Sequence, residues 1–362
     1  RQAELVLAEA RYDIAAGRPA IVEQALTPGA YSISIREDGI DLATQVTAAG
    51  DSVRVEDPIE RHGRQMAYLV LPNKAVVKIE LSSTDHRSKT GHAFLEVVRW
   101  VRARADSPSM SELGDRSFSQ ALEEQTREKD QWSKRADKSL NDAIRYYSDA
   151  ADDLAAEAAL YTRGRYAYLL AGDWPAAESY ASAARAIAKK RHDPIARARA
   201  DVLSASAQIE QAGELTGDQA RRKHRALLAS AEKLLAASEQ DFAAASLPLD
   251  QIAALTFRGV SLWSARNADE ARAAFVSAAD LARTNKDAFS EVRALGNLAW
   301  LDFERADVHA AAAEYERLLE IIERDRQPDL YASHVANYGL CLVSLGEFDR
   351  ALQLHNEALE MF

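Results

Sequence analysis

Between residues 19 and 101 apolar and polar side chains alternate with a period of two, in short runs bounded by Gly, Pro, Asn and Asp. That period puts alternate side chains on opposite faces of a pleated strand. It predicts strands at 21–26, 31–36, 40–47, 52–56, 66–71, 75–81 and 93–101. The intervening turn signals are Thr27-Pro28-Gly29, Glu37-Asp38-Gly39, Ala49-Gly50-Asp51, Pro72-Asn73-Lys74 and Lys89-Thr90-Gly91. Within Tyr31-Ser32-Ile33-Ser34-Ile35 the apolar side chains share one face, and the serines are expected to face water. Short strands with this punctuation predict an antiparallel β-sandwich or jelly roll. The segment 4–14 fits an edge strand or a short helix equally well.

After Ser107-Pro108-Ser109-Met110-Ser111, which reads as a linker, the hydrophobic period becomes that of helices. Residues 123–152 read as one long amphipathic helix. Farther on the chain repeats itself: Gly259 is followed by Ala271, Phe275 and Ala278, Ala299 by Ala311, Tyr315 and Leu318, and Gly339 by Ala351, His355 and Ala358. The three anchors recur at steps of 40 residues. A small residue on a first helix lets a second helix approach, an Ala fills the contact, and a bulky side chain one turn later plugs the groove. Asp269 and Asp349, just after the turns, are expected to cap the second helices. Asn337-Tyr338-Gly339, followed by Leu345-Gly346-Glu347-Phe348-Asp349-Arg350-Ala351, resembles the tetratricopeptide repeat (TPR), although the period is 40 residues where that repeat has about 34. An earlier copy runs from Tyr166 to Ala177, with Arg165 where a small residue is expected, and a degenerate copy has helices near 194–212 and 217–238. The resemblance implies about five hairpins in a right-handed solenoid.

Composition sharpens this division. Of 71 alanines, 57 follow residue 100, as close-packed hairpins require. The expected domains are therefore a β-sandwich over 1–106 and a TPR-like helical domain over 107–362. The net charge of −11 argues against a nucleic-acid partner, and no apolar run is long enough to span a membrane. The single cysteine excludes an internal disulfide and a multi-cysteine zinc site. The chain starts at Arg1 and stops within a helical pattern, so the reading is a fragment whose repeats continue.

Candidate chemistry is sparse. There is no phosphate-cradling glycine loop, no His-Glu-x-x-His and no Gly-x-Ser-x-Gly. His86 and His92 have only Asp85 as an evident third metal ligand. Cys341 and His334 are two helical turns apart, about 10 Å of rise, too far for a nucleophile–base pair. No catalytic, cofactor or metal residues are therefore assigned, and the chain is expected not to be an enzyme. The tract Arg221-Arg222-Lys223-His224-Arg225 reads as a solvated helix face.

The first hundred residues carry a second resemblance. Leu26-Thr27-Pro28-Gly29-Ala30-Tyr31-Ser32-Ile33-Ser34-Ile35, then Gly39-Ile40-Asp41-Leu42 and the loop 57–65, resemble the pre-peptidase β-modules of secreted bacterial proteins. Together with lengthened TPR hairpins, this resembles the N-terminal region of bacterial CHAT-domain proteins, which end in a caspase-like peptidase. The resemblance implies a periplasmic or secreted protein, with a cytoplasmic one as the alternative. It also implies a non-catalytic scaffold that binds a protein or peptide and regulates a C-terminal peptidase domain. The groove residues expected to make the contact are Arg163, Tyr166, Trp263, Arg293, Trp300 and Phe303. The alternative is a glycan- or surface-binding module working through the sandwich and its aromatics Tyr31, Tyr68 and Trp100.

Overall fold

A computed structural model describes residues 4–15, 17–56, 64–84, 90–100, 108–128, 132–216, 220–322, 324 and 327–361. The chain forms two compact units, Arg1–Leu203 and Ser204–Phe362.

The first unit opens with eight strands: β1 (Glu4–Ala15), β2 (Ala20–Leu26), β3 (Gly29–Asp38), β4 (Leu42–Ala48), β5 (Asp51–Glu56), β6 (Arg64–Leu71), β7 (Ala75–Ser83) and β8 (Thr90–Trp100). They form two antiparallel four-stranded sheets in the orders β1-β8-β3-β6 and β2-β7-β4-β5. The segment that periodicity left open is a strand, paired along its length with β8. The sandwich core joins Ile33, Ile35 and Val97 of one sheet to Val46, Ile79 and Leu81 of the other. Each lies on the inward face that the period of two assigns to it.

The serines of β3 do not face water: Ser32 and Ser34 are buried. Helix α1 (Met110–Glu128) lies on this side of the sheet, which places the second face of β3 under a helix. The backbone N–H of Tyr68 on β6 donates to Ser119 Oγ at 2.9 Å, and the Tyr68 hydroxyl donates to Glu112 at 2.8 Å. A polar face covered by protein needs partners of its own. Ser32 accepts from Trp100 Nε1 at 2.7 Å, and Ser34 from Arg64 Nε at 3.0 Å.

The single helix expected over 123–152 is two helices, α1 and α2 (Lys134–Asp149). Ser133 marks the break, because its side chain caps α2 by accepting from the Ala136 N–H. Of the expected linker, Ser109 accepts from the Glu112 N–H and Met110 already begins α1; Ser107 lies outside the described residues, as do 57–63 of the expected loop and Asp85 to Lys89. The unit continues with α3 (Asp153–Tyr166), a π-helical turn at Ala167–Ala171, and α4 (Trp174–Lys190). The unit boundary falls within α5 (Pro194–Gly213).

The π-turn corrects the repeat register of the early copy. Counting twelve residues back from the buried Ala177, as in the later repeats, lands on Arg165. The residue in close contact is Gly164, where a Cβ would lie 3.2 Å from Tyr180 Cβ and 3.0 Å from Leu203 Cδ2. A π-turn takes up one extra residue without ending the helix. It shifts the small position by one.

The second unit contains α6 (Arg221–Ala244), α7 (Pro248–Ser264), α8 (Ala268–Thr284), α9 (Ala288–Glu304), α10 (Val308–Ile321), α11 (Pro328–Leu345) and α12 (Phe348–Met361). The 40-residue repeat is the hairpin period: α7–α8, α9–α10 and α11–α12. Ala271, Phe275, Ala299, Ala311, Tyr315 and Ala351 are all at most 1% exposed. Each hairpin turns through a left-handed residue at the same repeat position, Arg266, Ala306 and Gly346. The cap is the residue after it and not, as expected, two residues farther on. Asp307 accepts from the Ala310 N–H, whereas Asp269 lies in the first turn of α8 and pairs with Arg305 at 2.7 Å.

Candidate functional site

Four of the six groove candidates lie on the first helices of the second unit, α7 and α9. Trp263, Arg293, Trp300 and Phe303 are all half-buried. The Trp263 indole N–H donates to Glu304 at 2.8 Å, joining α7 to α9. On α9 the rings of Trp300 and Phe303 stand 5.6 Å apart at a tilt of 33°. One turn from the start of the same helix, the Arg293 guanidinium lies 5.7 Å from the centre of the Phe289 ring. Residues three and seven apart share one side of a helix, so Arg293, Trp300 and Phe303 follow one another along α9. Glu304 escaped the sequence reading; its only signal is its place beside Phe303 at the end of the helix.

The other two candidates belong to the first unit, and their side chains are engaged there. Arg163 donates to Asp137 from Nη2 at 2.7 Å and from Nε at 3.0 Å, and it lies 4.1 Å from the Tyr180 ring centre. Tyr166 is fully buried, with its ring edge-on to Trp132 at 5.4 Å. The sandwich aromatics are likewise turned inward: Tyr31 is buried and donates to the Thr27 carbonyl, Trp100 is 6% exposed, and Tyr68 is held by Glu112.

Cys341 and His334 serve packing. Burial pushes the Cys341 thiol up to about 11, and its side chain is 1% exposed, so no thiolate forms near neutrality. Burial pushes His334 down to about 4 and keeps it neutral. Its ring fills the space above Gly296, where a Cβ would lie 2.5 Å from Cε1. His355 meets Gly339 in the same way, with a Cβ-to-ring distance of 2.7 Å, and so takes the plug position of the final hairpin. His86 lies outside the described residues, and among the described residues no group of three His, Cys, Asp or Glu side chains is placed to hold a metal ion. Among the described residues no helix is long and apolar enough to cross a membrane.

Glu157 in α3 is a buried carboxyl. Burial raises it to about 7, against the opposing pull of Arg191, whose guanidinium lies 3.6 Å away. In the unfolded chain it titrates near 4.5. Between those two values the folded chain holds a proton that the unfolded chain lacks, so this group removes stability as pH rises from 4.5 through 7. Glu157→Gln is expected to match the parent at pH 5 and to exceed it at pH 8 by on the order of 2 kcal/mol. Urea denaturation at the two pH values reads this directly, and equal gains at both would contradict the assignment.

No protein-family model matches the sequence, and no curated protein matches it. Solved structures share the helical fold. A Rap protein complexed with competence and sporulation factor aligns with a TM-score of 0.51 at 14% identity, over 72% of this chain and 66% of that one. The STAND signal-transduction ATPase with a tetratricopeptide repeat sensor from Pyrococcus horikoshii gives 0.51 at 14% identity, over 67% of this chain and 36% of the ATPase. The apo form of RapI gives 0.50 at 11% identity, over 69% and 65%. The chain thus spans about two thirds of the Rap proteins and about a third of the ATPase. At these identities the likeness is one of fold, and the helical region is of the TPR type.

Proposed function

We propose that this chain is a non-catalytic scaffold for protein–protein interaction, which binds a peptide or a partner domain along the first helices of its repeat hairpins. The observation that carries this reading is the side chain set on α7 and α9. Trp263 on α7 and Trp300 and Phe303 on α9 offer half-buried aromatic surface, with a cation, Arg293, on α9 as well. Rigid aromatic and arginine side chains are the groups that most often dominate binding energy at interfaces. The Rap structure, which shares the fold, holds competence and sporulation factor, and this supports the reading. In the full proposal the chain is organised as a sandwich, 1–106, and a repeat region, 107–362, and the partner is a C-terminal caspase-like domain that the scaffold regulates in a periplasmic or secreted protein.

The test uses a random linear-peptide phage library panned on the intact chain. Selected peptides are then measured by fluorescence polarisation against Trp300→Ala and Arg293→Ala. Each variant is expected to weaken binding about tenfold or more, the loss of one interface anchor, at an unchanged melting temperature. Unchanged affinity, or a loss that follows a fall in melting temperature, would assign these side chains to packing alone.

A further inference from the structure

The basic tract that the sequence presents as a solvated face lines a trough. Arg221, His224 and Arg225 of α6 form one wall, Arg266 of the α7–α8 turn stands on the other, and Leu228 and Leu262 lie at the bottom of a cavity of about 1150 Å³. Both leucines are at most 6% exposed, whereas the three arginines are exposed to solvent. We propose that this trough binds an acidic linear peptide, with carboxylates against the guanidinium groups and an apolar side chain over the leucines.

Three observations favour that occupant. Among the described residues, His224, Arg225 and Arg266 have no carboxylate partner. Of the two acids that share the lining, Glu232 already accepts from Arg258 Nε at 3.2 Å, which leaves Glu270 against the cationic walls. The trough therefore carries a surplus of positive charge in a chain whose net charge is −11. Lastly, α6 starts at Ala220 with no side-chain cap and no acidic residue in its first turn, while α3, α4, α9 and α10 each start at a capping Asp. Arg221 to His224 thus sit where the helix macrodipole is positive and disfavours cations. An anion placed there is favoured by the dipole.

The apolar floor and the enclosing walls separate this ligand from a nucleic acid. A long polyanion needs an extended basic surface and would meet the acidic remainder of the chain. A guanidinium pairs with carboxylate and phosphate alike through two parallel donors, so the apolar floor and the small extent of the basic surface carry the distinction. None of Trp263, Arg293, Trp300 and Phe303 lines it. The site therefore stands apart from the first-helix face proposed above and does not depend on it.

The experiment is fluorescence polarisation on the intact chain with a fluorescein-labelled heptapeptide of Asp and Glu around a central Leu. Controls are the same peptide with Asn and Gln in place of the acids, and a labelled single-stranded DNA. The acidic peptide is expected to bind, to weaken steeply with added salt, and to bind more tightly than either control. Arg225→Gln combined with Arg266→Gln is expected to weaken it at least about tenfold, as expected for two charge-assisted contacts. Arg225→Lys with Arg266→Lys, which keeps the charge but loses the paired donors, is expected to retain part of the binding. No binding by the intact chain, equal binding of the amide peptide, tighter binding of the DNA, or an unaffected Gln double variant would each overturn the proposal.

Discussion

Phe275→Ala is expected to destabilise the second unit by about 3–5 kcal/mol, the cost of emptying a buried aromatic site. The ring is fully buried and fills the space left by Gly259 on the paired helix, where an added Cβ would lie 2.4 Å from Cε1. The cavity sits between two helices, each fixed by the next hairpin, so it collapses only in part. A second substitution isolates the contact. Gly259→Ala alone is expected to cost about 1–3 kcal/mol, because overpacking against a ring that has nowhere to go outweighs the gain in helix propensity. In the Phe275→Ala background the clash is gone, and the same change is expected to stabilise by up to about 1 kcal/mol. A thermodynamic cycle in guanidinium chloride, followed by helical circular dichroism, gives the coupling. Additive single effects would show that the close approach of α7 and α8 does not depend on this pair.

Asp115→Ala is the second large effect, expected at about 2–4 kcal/mol in the first unit. Asp115 is buried, and burial holds its carboxyl above the usual carboxylate range. It accepts from the Tyr147 hydroxyl at 2.7 Å and from Ser32, whose oxygen in turn accepts from Trp100 Nε1 at 2.7 Å. The chain of donors links a β-strand to α1 and α2. Deleting the acceptor leaves two buried hydroxyls unmatched, while relief of the buried charge offsets part of the loss. Asp115→Asn keeps an acceptor without the charge and is expected to recover most of the stability, and Tyr147→Phe to lose about half as much as Asp115→Ala. Urea midpoints for the three variants decide the matter. If Asp115→Ala unfolds with the parent, the polar network is incidental to the packing of α1 on the sheet.

The strands and hairpins were legible because their signals are local. Alternation placed Ile33 and Ile35 in the sandwich core, and the steps of 40 from Gly259 to Ala299 to Gly339 marked three successive hairpins. The errors have local causes of a different kind. Alternation alone predicts solvated serines on β3, because it reports which residues share a face and not what covers it. Amphipathic periodicity predicts one helix over 123–152 because it survives a short break, while the cap at Ser133 is a single residue. The repeat spacing points to Arg165 because a π-turn adds a residue without altering composition.

The candidate site divides along the same line. Residue type and helical spacing brought Trp263, Arg293, Trp300 and Phe303 forward, and they do lie along α7 and α9. The same argument brought Arg163 and Tyr166 forward, yet Asp137, Tyr180 and Trp132 engage them, and those partners come from other helices. The tract at Arg221 shows the reverse. Its charge was plain, but Arg266 and Leu262 lie on α7 and its turn, some forty residues away in sequence. Periodicity determines which face of an element is apolar, and so the fold class and the repeat follow from the chain alone. Which polar group finds a partner depends on distances across elements of a few ångströms, and only the packed tertiary structure sets those.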